Sequence, residues 1–195
     1  MKKGIIALLL ISSLSLVACS NNKEQNKTTT ENNNQTTQQS NNGTLSSDEY
    51  KDTLVKNYDK YIQPIDVKDE RLDELLDKDN KADNNKIFDN YKNLLDDSKN
   101  NIASFRNVLK DLKIEDNTLQ DLNNTLVDVS DKLVNDIDQA ENYIDTNKDT
   151  LIKKNKQDLM DYLDNDIDKK LINDNDFENT LDQIEDKLNI NLDKQ

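Results

Sequence analysis

The sequence predicts an all-α protein, an elongated helical bundle of five or six coiled-coil-like antiparallel helices preceded by a disordered tether. Three observations carry this expectation. The chain of 195 residues has only two glycines and one proline, and both glycines, Gly4 and Gly43, precede Leu45. Tight hairpins and phosphate-cradling loops depend on glycine for positive φ, so a glycine-free run from Leu45 to Gln195 favours helices, with Asn and Asp at turns and caps. Apolar residues also recur at alternating spacings of three and four, the signature of a helical seam. Finally, 34% of residues are charged, enough to solvate the outer faces of such helices.

The elements follow in order. Ser46 and Glu49 have the spacing of a capping box and open a first helix. Its apolar stripe is Leu54, Tyr58, Tyr61 and Ile65, and Gln63-Pro64 should end or kink it. Asp79 to Asn85, rich in Asp and Asn, reads as a loop. The next seam is Phe88, Tyr91, Leu95, Ser98, Ile102, Phe105, Leu109 and Leu112. Asp116-Asn117-Thr118 can start the following helix. Its seam is Leu119, Leu122, Leu126, Val129, Leu133, Ile137, Ala140 and Ile144, with one step out of alternation. These two longest helices should pack as an antiparallel hairpin. Asp145-Thr146-Asn147 should break or bend the chain. Leu159, Leu163, Ile167 and Leu171 form a stripe stepping by four. Asn173 to Asp176 introduces a final helix with Phe177, Leu181, Ile184 and Leu188 on one face. Two apolar positions per heptad make a thin core, which favours a slender shape or self-association.

The N-terminus is organised differently. Lys2 and Lys3 precede an uncharged run from Gly4 to Val17, too short to span a bilayer and of the length of a secretory h-region. It ends in Leu16-Val17-Ala18-Cys19, with the only cysteine of the chain. These residues resemble the lipobox of bacterial lipoproteins. The resemblance covers only the first twenty residues or so. It implies a signal peptide at 1–18, a diacylglycerol on the Cys19 thiol, and cleavage before Cys19. Ser20 to Thr44 then contains no apolar or aromatic residue, so 19–44 is expected to be a lipidated cysteine and a disordered tether. As a coil the tether would span roughly 25–30 Å. Residues 45–195 form the acidic helical domain.

Charge and missing residue types exclude several functions. With 26 Lys+Arg against 40 Asp+Glu the formal charge is −14, and loss of Lys2 and Lys3 makes the mature chain more negative. Nucleic acid needs a basic footprint, and flat adsorption on anionic lipid needs basic residues too. There is no histidine, the usual general base and metal ligand. With Cys19 acylated, thiolate catalysis, disulfides and thiolate zinc sites drop out as well. No catalytic residue, enzyme activity or cofactor is therefore expected. A solute-binding subunit would need a glycine-containing α/β fold.

Three features still invite a site. Asp174, Asp176, Glu178, Asp182 and Glu185 fall at positions 1, 3, 5, 9 and 12 of a loop that partly resembles a calcium-binding EF-hand, but Asn179 stands where the motif wants glycine. The helical stripe through the same residues competes with it, leaving Asp174 or Asp176 as a cap. The six tyrosines, Tyr50, Tyr58, Tyr61, Tyr91, Tyr143 and Tyr162, could stack on sugars or peptides, although most lie on or beside apolar stripes. Lys153-Lys154-Asn155-Lys156 is a positive cluster that could touch anionic polymer or phospholipid, or be one solvated helix turn.

The reading that results is a non-enzymatic surface lipoprotein, held on the outer face of a bacterial cytoplasmic membrane and binding a protein or envelope partner. The Asn/Lys/Asp/Ile-rich composition is similar to that of low-GC Gram-positive bacteria, and the layout resembles cell-wall-binding helical lipoproteins of Firmicutes. Two alternatives stand beside it: a calcium- or ligand-binding lipoprotein, and an exclusion or immunity lipoprotein acting against phage or mobile elements.

Overall fold

The computed structural model describes residues 43–65 and 82–194. Among them lie five helices, here α1 to α5, and no strand. Helix α1 is Ser47–Tyr61. Its start is the expected capping box: the Glu49 N–H donates to Ser46 Oγ at 3.3 Å, and the Ser46 N–H donates to Glu49 Oε2 at 2.9 Å. The Ser46 N–H and hydroxyl, both donating to Glu49 Oε2, hold the Glu49 carboxyl below its ordinary pKa. The helix stops at Tyr61, and after a turn at Ile62 the chain is helical again over 63–65, where Pro64 falls in a first turn that needs no N–H from it. Tyr50, Leu54 and Tyr58 face inward, followed by Ile62 and Ile65. The expected inward Tyr61 is corrected: it is only half-buried, with Lys60 Nζ over its ring at 4.6 Å. The helix ends there, so its spacing does not continue, and Ile62 takes the inward place.

Helix α2 is Asn84–Leu109, capped by Asp83, whose Oδ1 accepts from the Lys86 N–H at 2.9 Å. The cap lies within the expected loop, of which Asp79 to Lys81 fall outside the described residues. Every expected seam residue from Phe88 to Leu109 is buried, and Leu112 lies beyond the helix. Helix α3, Asn117–Leu151, is the longest at 35 residues, about 52 Å at 1.5 Å per residue. Asp116 caps it, with Oδ1 accepting from Leu119 at 3.0 Å.

The α3 seam departs from expectation instructively. Leu122 and Val129 are only half-buried, while Asn123 and Ser130 are fully buried. The inward residues are therefore Leu119, Asn123, Leu126, Ser130, Leu133, Ile137, Ala140 and Ile144, which alternate strictly by four and three. An apolar-only reading creates a slip that the helix does not have. The two polar residues are accommodated by hydrogen bonds. Asn123 Nδ2 donates to the Leu109 carbonyl at 3.0 Å, satisfying one of the orphan acceptors at the end of α2. Ser130 Oγ donates to the Leu126 carbonyl at 2.6 Å. The predicted break at Asp145-Thr146-Asn147 also does not occur. Thr146 Oγ1 and Asn147 Nδ2 each donate to the carbonyl four residues back, at 2.8 Å, and α3 runs on to Leu151.

Charges fix the antiparallel register of α2 and α3. Arg106 pairs with Asp131, Lys99 with Asp138 and Glu141, and Lys92 with Asp145. Each heptad down α2 matches one heptad up α3. A fourth rung reverses sign, Asp89 with Lys148 at 3.0 Å. Lys148 also lies 4.9 Å from the Phe88 ring centroid.

The remaining chain covers this hairpin. Helix α4, Lys156–Tyr162, leads into a π-helical segment, Leu163–Asp168, and a last α-turn, Lys169–Leu171. The sequence explains the π-helix. Inward residues four apart drift about 40° per step on an α-helix of 3.6 residues per turn. The wider i→i+5 turn takes that drift back, and Leu159, Leu163 and Ile167 all stay fully buried. Tyr91 Oη donates to the Leu163 carbonyl at 3.4 Å, tying this segment to the first half of α2.

Helix α5, Asn175–Leu188, lies on the other half. Lys132 pairs with Asp176 at 2.8 Å and Lys187 with Asp116 at 3.1 Å, so α5 runs antiparallel to α3. Phe177 meets Phe105 edge-on, centroids 6.3 Å apart. Asn189 closes the helix at φ 51°, the left-handed conformation that glycine fills elsewhere. A final 3₁₀ turn, Leu192–Lys194, returns to α1, where Tyr58 Oη donates to Asp193 at 3.1 Å.

Candidate functional site

The described chain enters the bundle at a defined place. Gly43 has φ +68°, a conformation that L side chains rarely adopt. Two residues later Leu45 is clasped by the α2–α3 loop. Its N–H donates to the Lys113 carbonyl at 2.6 Å, and its carbonyl accepts from the Glu115 N–H at 2.9 Å. This isolated parallel bridge, Leu45 with Ile114, sits just before α3. The polar stretch that precedes Leu45 in sequence therefore joins the hairpin at its loop end.

A cluster of aromatic and basic side chains lies toward the opposite end. Tyr143 is on α3, about 40 Å from its first residue at 1.5 Å per residue, and Tyr162 closes α4. The Tyr162 hydroxyl donates to the Tyr143 hydroxyl at 2.8 Å. Burial and this neighbour push the Tyr162 pKa up to about 12, so Tyr162 keeps its proton. Tyr143 is 44% exposed, the one exposed large hydrophobic among the described residues. Lys154, in the α3–α4 connection, lies with Nζ 5.2 Å from the Tyr162 ring centroid, within range of a cation–π contact. Among the described residues no carboxylate pairs with Lys153 or Lys154, whereas the lysines of the hairpin ladder each hold one. The connection is itself fixed: Asn84 Nδ2 donates to the carbonyls of Ile152 at 2.9 Å and Lys154 at 2.6 Å. Asn155 caps α4 through the Asp158 N–H at 2.9 Å.

The acidic run has a different arrangement. Asp176, Glu178, Asp182 and Glu185 lie on α5, helical throughout, and Asp174 sits at its N-cap position. Asp174 does not cap with its side chain, which corrects that expectation. Its φ −93°, ψ −10° is helical rather than extended, and the residue is 7% exposed. Burial pushes its carboxyl pKa up. Asp176 pairs with Lys132, Asp182 is exposed, and Glu185 accepts from the Leu192 N–H. Burial raises the Glu185 pKa as well. Among the described residues no group of three or more His, Cys, Asp or Glu side chains is placed to hold a metal ion.

Tyr50, Tyr58 and Tyr91 are core residues, and Tyr61 is half-buried, so a single tyrosine surface does not form. Of these candidates the structure brings together Tyr143, Tyr162 and Lys154. A step-counting reading misses that meeting because it depends on where α3 ends and α4 turns back. The Leu45 clasp was signalled only by an isolated leucine after a polar run. Cys19, the expected signal peptide and the expected tether up to residue 42 lie outside the described residues. No described helix is long and apolar enough to cross a membrane. Comparison with protein-family models, curated proteins and solved structures finds no match.

Proposed function

We propose that this protein is a membrane-anchored surface lipoprotein whose non-enzymatic helical domain binds a protein or envelope partner outside the bacterial cytoplasmic membrane. The observation that carries the proposal is the ordered run Lys2-Lys3, Gly4 to Val17, Leu16-Val17-Ala18-Cys19, followed at once by a polar stretch without an apolar residue. A diacylglycerol supplies two acyl chains, at about 0.8 kcal/mol per buried CH2, where one chain binds only marginally. The acidic domain is then repelled from anionic lipid and held off the surface. A domain without histidine and with its one cysteine acylated has few routes to acid–base or nucleophilic chemistry. An exposed aromatic–lysine cluster suits binding better than turnover.

The test is Cys19→Ala in the host. The substitution is expected to leave unprocessed precursor or to release the protein to the medium, read by its mass and by membrane fractionation. A Cys19→Ala chain that matures normally and stays in the membrane fraction overturns the proposal.

A further inference from the structure

We infer that the corner formed by Tyr143, Tyr162 and Lys154 is a binding site for an anionic polysaccharide, taking one pyranose ring with an adjacent carboxylate or phosphate. The inference deepens the envelope-partner reading and rests on it for its biological setting, but not for its chemistry. Two tyrosine rings from different helices are held in one arrangement by the 2.8 Å hydroxyl contact. Tyr143, 44% exposed, offers ring surface with a polar tip, and the C–H face of a pyranose is an apolar partner of similar size with hydroxyls at its rim. Tyrosine gives such contact area at low entropy cost because it has two side-chain torsions.

Lys154 decides the charge of the ligand. Among the described residues Lys154 pairs with no carboxylate and lies by the Tyr162 ring, so in a chain of net −14 it is available to an outside anion, and Lys153 beside it adds a second positive charge. Acids limit the size of that anion. Asp166 bears on Tyr162, where its charge helps raise the phenol pKa, and Asp158, Asp161 and Asp164 share the same short segment. A flat, uniformly anionic surface would meet these carboxylates together. A polymer with one charge per disaccharide places a single anion at Lys154 and keeps the next a full repeat away. The Asn84 contacts fix the backbone beneath the lysine, so little ordering entropy is left to be lost on binding.

The experiment uses the full-length chain in detergent micelles and three soluble probes. Hyaluronan tetrasaccharide has rings and carboxylates, chitotetraose has rings without charge, and poly(glycerol phosphate) has charge without rings. The expected result is a calorimetric or fluorescence isotherm for hyaluronan at least tenfold tighter than for either of the others. Tyr143→Ala should weaken it tenfold or more, and Tyr143→Phe less than threefold. Lys154→Gln should bring hyaluronan down to the level of chitotetraose. Thermal melts check each fold. If Tyr143→Ala melts early, Lys154→Gln, in the loop, decides alone. Absence of hyaluronan binding at millimolar concentration, or binding unchanged by Lys154→Gln, overturns the inference. Poly(glycerol phosphate) binding as well as hyaluronan does so too, because charge alone would then suffice. None of these outcomes depends on Cys19, so anchoring can fail without the site, and the site without anchoring.

Discussion

Asp174 shows how a single carboxyl can oppose folding. Unfolded, it titrates at the ordinary aspartate value near 4. Folded, burial holds its proton to higher pH. The native state thus binds more protons than the unfolded state between those two values, and stability falls as pH rises through them. Below the ordinary value the cost is absent, and above the raised value it is complete. Asp174→Asn removes the ionisation and keeps the shape. The expected outcome is a melting temperature higher by about 1–4 °C at pH 7, with the gain fading as pH approaches 3. A variant that is less stable than the parent at pH 7 would mean that the buried charge is compensated. The surface caps act in the opposite sense. Glu49 and Asp116 have lowered pKa values because backbone N–H groups donate to them, so their contribution is lost as pH falls.

At the scale of the element, Asn replaces glycine. Asn189 holds φ 51° at the end of α5, with its N–H and that of Ile190 donating to the Asp186 and Glu185 carbonyls at 3.3 and 3.0 Å. Asn tolerates this conformation and a β-branched residue does not. Asn189→Val should cost about 1–2 kcal/mol, and Asn189→Gly should be neutral or slightly stabilising, both read from denaturant midpoints. Much of this level was legible in sequence. Caps at Ser46 and Asp116, the α2 seam and the α5 stripe follow from spacing and local hydrogen bonding. The illegible parts share a cause. Asn123 and Ser130 are polar by type and buried by position, and only the Leu109 and Leu126 carbonyls explain it. Asp145-Thr146-Asn147 looks like a breaker, yet Thr146 and Asn147 bond back along their own helix. In both places tertiary or i−4 partners override what a residue type suggests alone.

Across the whole molecule, like charges outnumber the pairs that offset them. The α2–α3 ladder is mostly exposed, and such pairs contribute about 0–1 kcal/mol each. Its most protected member is Lys99 with Glu141, where the carboxylate holds the ammonium pKa up. Against that stands a formal −14, whose self-repulsion acts over the whole surface. Salt screens both, with a Debye length of about 30 Å at 0.01 M and about 3 Å at 1 M. The long-range repulsion is lost first, so the melting temperature is expected to rise by several degrees between 10 and 300 mM NaCl, followed by far-ultraviolet dichroism. A fall over that range would mean that the ladder contributes more than exposed pairs normally do. Of the candidate site, the sequence held each member but not their meeting: Tyr143, Tyr162 and Lys154 converge only because α4 turns back against α3.

The Leu45 clasp has a consequence for search and encounter. Under the proposed anchoring at Cys19, entry at the hairpin's loop end, fixed by the Leu45 bridge, would add the length of α3 to the span of the linker. The coil expected of residues 19–44, roughly 25–30 Å, added to the roughly 40 Å of α3 that leads to Tyr143, would let that corner sweep a hemisphere of radius roughly 65–70 Å. One binding site in that volume corresponds to an effective concentration on the order of 1 mM. A ligand fixed to neighbouring envelope and bound only at submillimolar affinity would then be occupied much of the time, and moving the attachment to the opposite end of α3 would shorten the reach by roughly 25 Å.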